Sequence, residues 1–158
     1  MNTASWCASF NQAGGSFTPI TPQGRSSMAK TVILVTNQRS CDRIIYAARE
    51  VADATQTELN IIEVLDSEYP LNPEAIDYLF MLAKQNNAIM RIVMAEDKLA
   101  VIRDTIADYD VTHVITGMPS SNKSVLYDLW KEFPEKQFHV VDQTGEVIEV
   151  AKSQFASA

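Results

Sequence analysis

The chain has 158 residues, the length of one domain, and is 46% hydrophobic, enough for a substantial core and too much for global disorder. Its 13 basic and 20 acidic side chains leave a formal net charge of −7, which argues against a nucleic-acid partner, because phosphate neutralisation needs a basic face. No apolar run approaches the roughly 18 residues of a membrane-spanning helix, and the two cysteines, Cys7 and Cys41, make neither a disulfide framework nor a zinc site, so no membrane association and a reducing, cytoplasmic compartment are the expectation.

Residues 1–27 contain one charge, Arg25, and no acid. Trp6, Phe10, Phe17 and Ile20 follow neither a helical nor a strand period, and there is no basic n-region or apolar h-region of a signal peptide. The segment reads as a disordered N-terminal extension, and the patterned domain begins at Met28, a candidate natural start.

From Lys30 the pattern alternates between two periods. Thr31–Thr36 (TVILVT) is a short β-branched run, the mark of a buried strand. Ser40 or Asp42 can cap the helix that follows, with Ile44, Ile45, Ala48, Val51 and Ala52 on one face. Glu58–Leu65 reads as a second strand. Asn72-Pro73-Glu74 is a helix start with its cap, its first-position proline and an early acid, and Ile76, Leu79, Phe80 and Ala83 form the stripe. Ile89–Met94 is a third strand. Asp97 can cap a helix whose stripe is Leu99, Ile102, Ile106 and Tyr109. Val111–Thr116 is a fourth strand, Leu126, Leu129, Trp130 and Phe133 mark a helix stopped by Pro134, and Gln137–Val141 is a fifth strand. Gln143-Thr144-Gly145 turns the chain into a hairpin with Glu146–Val150.

Strands alternating with helices predict an α/β fold with a single doubly wound, Rossmann-like parallel sheet of five strands. The expected order is 3-2-1-4-5, followed by a C-terminal hairpin, with residues 28–152 as the domain and 153–158 as a tail. Ligands in such sheets bind beyond the carboxyl ends of the strands, where the order reverses. Two loops matter there: Asn37–Cys41 after the first strand and Gly117–Ser124 after the fourth.

The second loop, GMPSSNKS, lies between a strand and a helix. Gly117 lets the backbone turn without a Cβ, the serines supply hydroxyls, Lys123 supplies a charge, and the free amides of the helix start would favour a phosphate. The alternative is a plain loop in which Ser124 only caps the helix. The match to the P-loop pattern fails at Asn122, where a glycine is needed to wrap phosphate.

The opening KTVILVT, the helix IIYAAREVADAT, the strand TELNIIEVLD, the run DVTHVITGM and the closing FHVVD resemble, in order and spacing, a universal stress protein domain over Lys30–Asp142. SCDRIIYAAR and GMPSSNKSVLYDLW resemble the version of that domain found in potassium-sensor histidine kinases, here standing alone. The resemblance implies a homodimeric stress-response module of the adenine-nucleotide alpha-hydrolase-like fold that binds ATP or AMP in the crevice. Thr36 and Asn37 would contact base or ribose, and Gly117, Met118, Ser120, Ser121, Lys123 and Ser124 would hold the phosphates. The family's G-x-x-G, nine residues, G-[ST] motif keeps its first glycine at Gly117. Its second falls on Ser120, its third on Trp130, and its last position on Lys131. Those departures motivate the alternative, a ligand-free module that pairs with a second copy through the fifth strand and its hairpin. A weak nucleotide hydrolase is the enzyme alternative, and no catalytic residue is identified for it.

Other chemistry is sparse. His113 and His139 fall on neighbouring strands and read as satisfied structural histidines, since no Cys or acid completes a metal site. Cys41, at a helix start, is a candidate low-pKa thiol. The flavodoxin reading lacks a flavin-cradling loop after the first strand, and the response-regulator reading lacks the acids there, where Asn37 and Gln38 stand.

Overall fold

The computed structural model describes residues 28–35, 41–67, 71–119 and 124–150. Within them the chain forms β1 (Lys30–Val35), α1 (Asp42–Thr55), β2 (Glu58–Leu65), α2 (Pro73–Gln85), β3 (Ile89–Met94), α3 (Lys98–Ala107), β4 (Val111–Gly117), α4 (Val125–Glu132), β5 (Gln137–Val141) and β6 (Val147–Glu149). The strands make one sheet of six in the order β3-β2-β1-β4-β5-β6, parallel except for the antiparallel β5–β6 pair. The sheet thus has six strands where five and a C-terminal hairpin were expected, the second arm of that hairpin being β6, paired antiparallel with β5. The fold is α/β and Rossmann-like.

Burial on both faces explains the composition of the strands. Ile33, Ile61, Ile115 and Val141 point to one face, where they meet Ile45, Ala48 and Ala52 of α1 and Leu79, Leu82 and Ala83 of α2. Val32, Leu34, Ile62, Val64, Val114, Phe138 and Val140 point to the other, against Ile106 of α3 and Leu126, Leu129 and Trp130 of α4. Alternate residues of each central strand therefore need to be apolar on both sides, which yields runs such as TVILV. The alanines of α1 let its axis sit close to the sheet.

The caps follow the sequence with one exception. Asn72 accepts from the amides of Glu74 and Ala75 at 3.1 and 3.3 Å, and Asp97 accepts from Ala100 at 3.0 Å. The N-cap of α1 is Cys41, whose side chain does not cap the helix amides, and Asp42 is already helical. Ser40, Thr36 and the loop between them lie outside the described residues. Two stripe residues also depart from expectation. Phe80 is 48% exposed and Leu82 takes the buried position, because α2 lies towards the edge of the sheet and covers it with a narrower face. Tyr109 is 93% exposed, beyond the end of α3.

The β1–β4 pairing contains a bulge: Lys30 pairs with Val111 and Thr31 with His113, leaving Thr112 over. Val111 and Val114, three residues apart, consequently face the same side. Lys136, only 7% exposed, reaches under this junction and donates to the carbonyls of Asp108 at 2.9 Å and Val111 at 2.7 Å. A buried ammonium is tolerated when its donors are satisfied in this way. Among the described residues no helix is long and apolar enough to cross a membrane.

Candidate functional site

The strand order reverses between β1 and β4. The helix after β1, α1, packs on one face of the sheet, and the helix after β4, α4, packs on the other. In sheets of this kind ligands bind beyond the carboxyl ends at such a reversal, which is where the sequence reading expects one. Of the residues expected there, Gly117, Met118 and Ser124 are described. Thr36, Asn37, Ser120, Ser121 and Lys123 lie outside the described residues.

Gly117 ends β4 and is aligned with Val141 of β5. Its backbone is not in the left-handed region, so turning freedom is not why a glycine stands there. A Cβ at this position would come 3.3 Å from Ile44 Cδ1, tighter than most such contacts, so the end of the Ile44 side chain would have to give by a few tenths of an ångström. Gly117 therefore admits the first turn of α1 against the end of β4. Ser124 is extended and caps α4, its hydroxyl accepting from the Leu126 amide at 3.3 Å. Met118 is exposed.

The helix start at α4 is not reserved for an anion. Asp128 stands in its first turn, where it interacts favourably with the positive end of the dipole that a phosphate would otherwise use. Trp130, at the position that the nucleotide motif assigns to a glycine, sits in the middle of α4 and is buried in the core with Val32 and Leu34, its ring edge-on to Tyr127 at 4.9 Å. Nearby cations are engaged: Arg43 Nε donates to the Asp142 carbonyl at 2.9 Å, and Lys98 pairs with Asp66 at 3.2 Å.

Cys41 corrects an expectation. It is 1% exposed, and burial pushes its thiol up to about 11, its own backbone hydrogen bond opposing the rise and the charges of Asp42 and Glu63 adding to it. Desolvation outweighs the helix start, so the thiolate is disfavoured and the residue is a packing element instead of a redox centre. Glu63 was not singled out by periodicity. It lies near the carboxyl end of β2, aligned with Val35, and is buried on the α1 side. The only sequence sign was an acid inside an otherwise apolar strand.

His113 and His139 do lie together, stacked with centroids 5.6 Å apart and planes 20° from parallel. His113 Nδ1 is 2.8 Å from the Thr112 hydroxyl, whereas the buried Nε2 of His139 has no hydrogen-bond partner, so the pair is only partly satisfied. Burial lowers both imidazoles. For His113 the Gln137 hydrogen bond and Glu149 act against that; for His139 the charge of His113 lowers it further and Glu149 opposes. Among the described residues no group of three or more His, Cys, Asp or Glu could hold a metal ion.

No protein-family model matches the chain, and no curated protein matches it.

Two outcomes test these contacts. Gly117→Val should lose about 1–3 kcal/mol of stability from overpacking against Ile44, and Ile44→Val, which removes Cδ1, should relieve part of that loss in a double-mutant cycle of urea unfolding. The histidines have folded pKa values below the unfolded value of 6.5, so their contribution is fully present above pH 6.5 and is lost as the pH falls through the folded values. Unfolding free energy measured from pH 8 to pH 5 should decline below pH 6.5, and His139→Gln should flatten that decline.

Proposed function

We propose that this chain is a small regulatory module of the universal-stress-protein type, which holds an adenine nucleotide or another phosphate ligand at the β1/β4 crevice and responds by changing its affinity for a partner, without chemistry of its own. The observation that supports this reading is the reversal of strand order at β1 and β4, with α1 and α4 departing to opposite faces and a Gly-started, Lys- and Ser-bearing segment between β4 and α4. Thr36 and Asn37 would meet the base or ribose; Ser120, Ser121 and Lys123 would meet phosphate. Ser124 can still donate its hydroxyl proton while it caps α4. Calorimetry with ATP and AMP tests this: Lys123→Ala should weaken binding at least several-fold, and equal affinity in both proteins would remove the assignment.

A second reading, a self-associating module without ligand, draws on the other end of the sheet. β5 is aligned with β4 on one side and β6 on the other, so the open edge there belongs to the three-residue β6, whose Ile148 is exposed. A second copy would pair along β6 and extend the sheet. Size-exclusion with light scattering at micromolar concentration should then give twice the chain mass, and a monomer would reject it.

A further inference from the structure

The helix α3 meets the sheet in an unusual way. Of its residues only Ile106 is buried. Val101, Asp104, Thr105 and Asp108 follow the i, i+3, i+4, i+7 spacing of one helical face, and that face looks onto a cavity of about 250 Å³. The opposite wall is the α3 side of the sheet, from the start of β1 and β4 to the middle of β2 and β3. Val32, Ile62 and Val93 make an apolar floor there, while Lys30 and Arg91 bring cations to its rim. A helix stripe that faces a sheet is normally apolar. Here both walls carry charge.

The charges are not matched to each other. Lys30 and Asp108 approach to 3.8 Å and form one ion pair. Arg91 and Asp104 line the same cavity, yet neither side chain takes part in an ion pair or hydrogen bond among the described residues. The end wall is built firmly: Asp108 and Val111 are the two carbonyls held by Lys136, and Lys30 and Val111 are partners at the bulge. Bulges occur preferentially beside functional sites.

The geometry points to a binding site for a small zwitterion with an apolar body, an amino acid of the aliphatic kind, its carboxylate on Arg91, its ammonium on Asp104 and its side chain on the floor of valine and isoleucine. Arg91 and Asp104, of opposite sign on one cavity, offer a zwitterion a counterpart for each of its charges. The volume lies below the 300–1,000 Å³ or so usual for drug-sized ligands, which suits an amino acid. The site is at the opposite end of the strands from the β1/β4 crevice, and it stands whether or not that crevice binds phosphate.

Heteronuclear NMR titration of the full chain with L-leucine and L-valine tests the assignment. Saturable shifts are expected at the amides of Asn60, Ile62, Val93 and Thr105 at millimolar ligand. Arg91→Gln and Asp104→Asn should each weaken binding about tenfold, the usual worth of one charge-assisted hydrogen bond. N-acetyl-leucine, which lacks the ammonium, and leucinamide, which lacks the carboxylate, should bind correspondingly worse. Both substituted side chains are exposed and unpartnered, so the variants should keep the parent's dispersed spectrum. Absence of saturable shifts with both amino acids, equal shifts with the two blocked compounds, or unchanged affinity in both variants would overturn it.

Discussion

Everything in this molecule depends on the two-sided burial of β1. Thr31 and Ile33 on one face and Val32 and Leu34 on the other leave water at once, and the strand has parallel neighbours on both edges. A parallel pair cannot be closed by a tight turn, so each connection must cross over through a helix, and right-handed crossovers send the helices to both faces. With β2 and β3 added on one side and β4 and β5 on the other, the reversal beside β1 is unavoidable. The crevice at its carboxyl end follows from that topology before any particular side chain is considered.

The covering of the two faces is uneven. On the α1 side, small residues at Ala47, Ala48 and Ala52 allow close approach, and Gly117 extends the same economy of volume to the end of β4. On the other side α4 contributes Leu126, Leu129 and Trp130 to a dense cluster, α3 adds the buried Ile106 with Leu99, Val101 and Ile102 only partly buried, and β3, at the edge, is half exposed. Apolar area removed from water stabilises by about 25 cal/mol per Å², so partly buried residues contribute only in part. A helix whose inner side stays partly open can keep charged residues there, because the cost of desolvating them is not incurred in an open cavity.

The carboxyl end shows the same competition between structural and binding roles. Ser124 caps a helix, Asp128 lies at its positive end, Arg43 holds the hairpin carbonyl of Asp142, and Lys98 neutralises Asp66. Groups that a phosphate could use are partly occupied with local structure. The thiol of Cys41 illustrates the balance: a helix start favours a thiolate, and burial at the same position reverses the preference.

Hydrophobic period and turn chemistry were sufficient to read the strands, the helices and their order, because each is determined by local sequence: TVILV as a run buried on both faces, Asn72-Pro73 as a helix start, Asp97 as a cap, Gly145 as the hairpin turn. Such reading errs where neighbours decide. Phe80 and Leu82 are equally apolar, and only the placement of α2 over the sheet edge selects between them. Gly117 reads as a turn residue, but its requirement comes from Ile44, 73 positions away. The stacking of His113 on His139 and the polar cavity beneath α3 bring together side chains from distant segments. Local preference is written along the chain, whereas distances between elements arise only when the crossovers have packed them.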